Sequence, residues 1–135
     1  MESLNNFLLM AHSGWRWVVL ILLVVVALKA LIGWLGQQKW SNLDTRLIWF
    51  SRIAVYIQVG LGVILYILLQ KWNVGMGFTG SHVIPALLAV GGVEFGAARA
   101  KKSSGTKKFM FAFIGFAIAL VLIYGALATV GGIFG

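Results

Sequence analysis

The chain has 135 residues, of which 61% are hydrophobic and 10% charged, with no cysteine and a formal net charge of +8. An average soluble domain is only about 45–50% apolar, so this composition excludes an ordinary soluble protein and leaves an integral membrane protein. Without cysteine, the chain has no disulfides, thiolate metal sites or iron–sulfur clusters of its own.

At about 20 apolar residues per span, the length accommodates four transmembrane helices and no separate soluble domain. The predicted spans are 11–36, 47–69, 81–98 and 109–134, in one domain covering 1–135. Helices are expected because the aliphatic runs lack the two-residue alternation of barrel strands, and backbone groups in lipid must be satisfied within the segment. The first run, entered through AHSGWRW, is too long for a signal peptide and is followed by three more. Short connections join neighbours directly, which predicts an all-α, up-down-up-down four-helix bundle.

Nine of the eleven cations flank the first and third connections: Lys29, Lys39, Arg46, Arg52, Arg99, Lys101, Lys102, Lys107 and Lys108. Because these cations border apolar runs, their charge reads as a topology signal, and nucleic acid is excluded as a partner. The positive-inside rule places both connections in the cytoplasm and both termini outside. A bacterial inner membrane is the expected location.

The only histidines, His12 and His82, open the two helices that run inward. Each lies 17 residues before the first cation at the inner end of its helix, Lys29 for His12 and Arg99 for His82. At 1.5 Å per residue both imidazoles sit about 25 Å above that anchor, level with each other. Two level imidazoles on two helices suit one b-type haem, bound through both axial faces of its iron. A flat group also needs small residues on the other two helices, and Gly60 and Gly62 in QVGLGV and Gly125 in LIYGALA lie near that depth. Glycine equally serves close helix packing. A chlorophyll-like pigment held by one imidazole, a copper site with Met10 or Met76, and interfacial histidines bound to neighbours or water remain alternatives.

Arg16 follows His12 by four residues on the same helix face, where it can hold a propionate or serve as an interfacial anchor between Trp15 and Trp17. Ser13 and Ser81 flank the histidines and can orient an imidazole or cap a helix. Deeper in the membrane, Glu94 is the only carboxylate within a predicted span. It forms a candidate inner polar site with Arg52 and Gln58, either a structural ion pair or part of a proton or quinone path. No second histidine pair exists, so transfer across the whole bilayer by this chain alone is not expected.

HSGWRW, YIQVGLGVILY and the basic ARAKK after the third helix resemble small bacterial four-helix membrane proteins described as cytochrome b-like. More distantly, the chain resembles one four-helix half of haem A synthase. The resemblance spans most of the chain through short hydrophobic motifs, and it implies a haem-ligand role for His12 and His82 alone. Such relatives often carry a further histidine deeper in the third helix, and Glu94 stands in that neighbourhood here.

The expected function is a b-type cytochrome-like electron carrier or complex subunit rather than a stand-alone enzyme. Its partners would be the bilayer, other membrane subunits, and a quinone or an outer-side redox protein. The alternative is a cofactor-free or pigment-binding accessory subunit of a larger respiratory or photosynthetic complex. A small multidrug-type transporter fits less well, because those resemble one another in an acid in the first helix, where this chain's span has none.

Overall fold

The computed structural model describes residues 2–68 and 83–128, all organised around four helices. They are α1 (Glu2–Leu35), α2 (Asn42–Leu68), α3 (Ile84–Lys102) and α4 (Lys107–Ala128). Three stretches, Asn6–Leu35, Asn42–Leu68 and Lys107–Ala126, are long and apolar enough to cross a membrane. Their composition points to a lipid bilayer as the surroundings. The described part of α3 falls short of that measure: its 19 residues include Glu94, Arg99, Lys101 and Lys102.

The first helix begins well before the predicted Ala11. No proline or glycine interrupts residues 2–10, and extending an existing helix by one residue costs far less than nucleating a new one. It ends in a Schellman motif: Gln38 N–H donates to Gly33 O (2.9 Å) and Gln37 N–H to Trp34 O (3.4 Å). The left-handed position falls on Gln37 (φ 52°) and not on neighbouring Gly36.

The second helix opens with Ser41 as N-cap and Asp44 three residues on. Asp44 Oδ2 accepts from both the backbone N–H and the hydroxyl of Ser41, each at 2.9 Å. This is one arm of a capping box, with Asp in the role of Glu. Asp44 Oδ1 also accepts from Lys29 Nζ, an ion pair that ties the C-terminal part of α1 to the start of α2. In α3, Pro85 occupies the first turn, where a missing N–H is harmless. Gly105, at φ 62°, turns the chain into α4.

Each helix packs against its sequence neighbours, and α1 also packs on α4, closing a ring. The most extensive seam is α3 on α4 and the least is α2 on α3. Glycine explains the first of these. A Cβ on Gly115 would lie 2.5 Å from both Gly92 O and Gly96 Cα, so only hydrogen at these positions permits the observed backbone approach. The core runs down the ring's axis through Val19, Leu23 and Val26 of α1, Val93 of α3, and Phe109 and Phe116 of α4. Large side chains such as Ile21, Leu28, Ile32 and Val121 point outward, as a bilayer solvent allows.

Candidate binding cleft and inner ion pair

One cleft is lined by all four helices. Arg16 and Val19 come from α1, Val55, Gln58 and Val59 from α2, Ala86, Ala89 and Val93 from α3, and Ile123 and Ala126 from α4. Its volume is about 60 Å³. The alanines of α3 and α4 contribute to this space, because they withhold side-chain volume where the four helices converge. Arg16 and Gln58 are the polar residues of its wall.

His12 lies one turn from Arg16 towards the N-terminus, and its ring rests on Gly62. A Cβ at Gly62 would come within 3.1 Å of His12 Cε1, 3.7 Å of Nε2 and 3.8 Å of Nδ1. Gln58, one turn away on the same face of α2, donates from Nε2 to the backbone carbonyl of His12 at 2.9 Å. That bond assigns the orientation of the amide, since a carbonyl accepts only from the nitrogen. Gln58 Oε1 is thereby left buried without a hydrogen-bond partner among the described residues. A second tie between these helices runs from Trp15 Nε1 to Ala54 O at 2.8 Å.

The other predicted outer residues divide. Gly60 and Gly125 face open space, and Ser13 is exposed. His82 and Ser81 lie outside the described residues. The level-histidine expectation therefore has one member, His12, whose surroundings can be described.

Further in, Arg52 and Glu94 meet in a two-pronged ion pair across the α2–α3 seam. Nε donates to Oε1 at 2.7 Å and Nη2 to Oε2 at 2.9 Å, the fork geometry that matches guanidinium to carboxylate. Tyr56 OH lies 3.5 Å from Arg52 Nη2. The side chains of Arg52 and Glu94 are 38% and 35% exposed, so the pair sits at the surface of the seam. Gln58 does not join it; its hydrogen bond goes to His12, and its side chain lines the cleft. Lys29, the other cation expected at a depth similar to Glu94, pairs with Asp44.

Sequence reasoning missed Asp44. A signal for it was present in the Ser41-to-Asp44 spacing that opens α2. Among the described residues, no three or more His, Cys, Asp or Glu side chains gather as a metal-binding group. No protein-family model, curated protein or solved structure matches the chain.

Proposed function

We propose that the chain is a four-span, up-down-up-down membrane bundle that holds one b-type haem between His12 and His82 and passes electrons near the outer face. The observation that carries this reading is the cleft among all four helices one turn inward of His12. In support of the reading, Arg16 and three alanines line this cleft, and His12 lies one turn from Arg16 along α1. His12 and His82 would hold the iron, and Arg16 a propionate. Bound haem supplies one-electron redox chemistry. This chain's part is to exclude water with apolar walls, to fix the imidazole, and to balance carboxylate charge.

The proposed topology rests on the ring of sequential neighbours and on the cations at the two inner connections. With no second pair of histidines for an inner haem, the partner would be a quinol, an outer-side redox protein or a cofactor of another subunit. The reduced-minus-oxidised absorption spectrum of the purified protein tests the assignment. A b-type band is expected in the parent, and its loss in both His12→Ala and His82→Ala. A parent without haem, or variants that keep the full band, would overturn it.

A second reading, an accessory subunit without cofactor, is favoured by an outward-facing aromatic pair on α2. Trp49 and Phe50 are 54% and 52% exposed and stack edge to face at 5.1 Å. Stoichiometric partners in a haem-free preparation would support that reading.

A further inference from the structure

We infer that the Arg52–Glu94 surface of the α2–α3 seam is the contact face for a second copy of this chain, lying in the same membrane orientation across a two-fold axis along the membrane normal. The inference is independent of the haem reading. Charged groups within membrane helices ordinarily pair with one another and also face a bundle interior or a water-filled cavity. Arg52 and Glu94 meet only the first condition. More than a third of each side chain is exposed, on the seam that the bundle closes least.

Their unused hydrogen-bonding capacity defines what would cover them. Arg52 gives Nε and Nη2 to Glu94, and Tyr56 OH stands 3.5 Å from Nη2. Among the described residues nothing accepts from Arg52 Nη1. Glu94 gives Arg52 two of its about four lone-pair sites, so it can accept further donors. The covering surface must therefore offer an acceptor and a donor at one depth. A second copy offers both, because a two-fold axis sets α2 of each against α3 of the other and brings Arg52 of one level with Glu94 of the other. Each copy contributes one charge of either sign, so no net charge enters the contact. A lipid phosphate supplies acceptors alone, and it would meet Arg46 first, about 9 Å nearer the start of α2. The surroundings suit a helix-to-helix contact. Trp49 and Tyr56, both largely exposed, flank Arg52 on its side of α2. On α3, Gly91 precedes Glu94 by less than one turn and has open space around it, which lets another helix approach closely.

The test co-expresses two differently tagged full-length chains and counts mixed dimers by sequential affinity capture. Reversing both charges, as Arg52→Glu/Glu94→Arg, keeps the ion pair within a copy and keeps self-association, but sets like charges together when a reversed copy meets a parental one. Mixed dimers should be about tenfold rarer than either self-pair. Because the chain has no cysteine, single replacements report the face directly. A short bismaleimide in native membranes should join Gly91→Cys chains into dimers and leave Val121→Cys, exposed on α4 away from the seam, unjoined. If the reversed chain fails to fold, this cross-linking pattern decides alone. Mixed dimers as frequent as self-pairs, a parent that stays monomeric, or cross-links at Val121→Cys without any at Gly91→Cys would overturn the inference. Absence of haem from the parent would leave it standing.

Discussion

Asp44 and Glu94 show how single acidic residues are accommodated in a chain this apolar. Each faces a cation from a neighbouring helix: Lys29 for Asp44, and Arg52 for Glu94. Removing one partner of such a pair leaves the other charge uncompensated, which costs more than the pair contributes when intact. Glu94→Gln should therefore destabilise the bundle by about 1 kcal/mol, well short of a broken buried pair, because more than a third of each side chain is exposed. The double variant Arg52→Gln/Glu94→Gln should lose less than the sum of its single changes, since neither charge is then stranded. Reversible unfolding in mixed detergent would measure the cycle, and strict additivity would show that the two groups do not cooperate. Asp44→Ala should cost more than Glu94→Gln by the same assay. Asp44 is only 6% exposed and serves as helix cap and counter-charge at once.

Among the elements, the α3–α4 seam and the end of α1 make opposite demands on glycine. In the seam, Gly115→Ala sets a methyl against the α3 backbone, where nothing flexible can yield, and should destabilise by about 1–3 kcal/mol. Gly91 is a useful contrast. A Cβ there meets nothing within 4 Å, so Gly91→Ala should be neutral or stabilising by up to about 1 kcal/mol through helix propensity alone. Equal effects at both sites would remove the packing explanation of the seam. At the end of α1, Gln37 holds the left-handed position that glycine normally takes. Gln37→Gly should raise stability by about 1 kcal/mol, seen as a later unfolding midpoint, because the steric cost of a side chain in that region disappears.

For the whole molecule, the arrangement places a loosely closed α2–α3 seam opposite a tightly closed α1–α4 and α3–α4 side. The cleft and the Arg52–Glu94 pair both draw on residues of α2 and α3, with the pair bridging a seam that side-chain packing alone covers least. The described part of α3 is the helix whose charges, Glu94, Arg99, Lys101 and Lys102, keep it from qualifying as a span by itself. The proposed topology makes a direct prediction. With no native cysteine, single replacements Ser3→Cys and Ser104→Cys report sidedness cleanly. A membrane-impermeant thiol reagent applied to intact cells should label Ser3→Cys and leave Ser104→Cys unlabelled until the membrane is opened. The reverse pattern would invert the bundle.

The sequence by itself determined the helical class and the bilayer environment, because apolar run lengths and the absence of alternation are local properties that every residue reports. It also exposed Glu94 as a group in need of a cation, since an acid among aliphatic residues has few affordable states. The partner followed less directly: Arg52 and Lys29 are both expected at a similar membrane depth, and only the packing of α2 on α3 selected Arg52. The same holds for Gln58, whose hydrogen bond reaches 46 residues back to His12 and leaves no trace in local spacing. Among 17 glycines, composition cannot separate Gly115, pressed against backbone, from Gly60 and Gly125, which face open space. Gly62 became informative only when α2 was seen beneath the His12 ring. Contacts between helices depend on rotation and register, and these are set by the packing of the whole bundle rather than by any one segment of the chain.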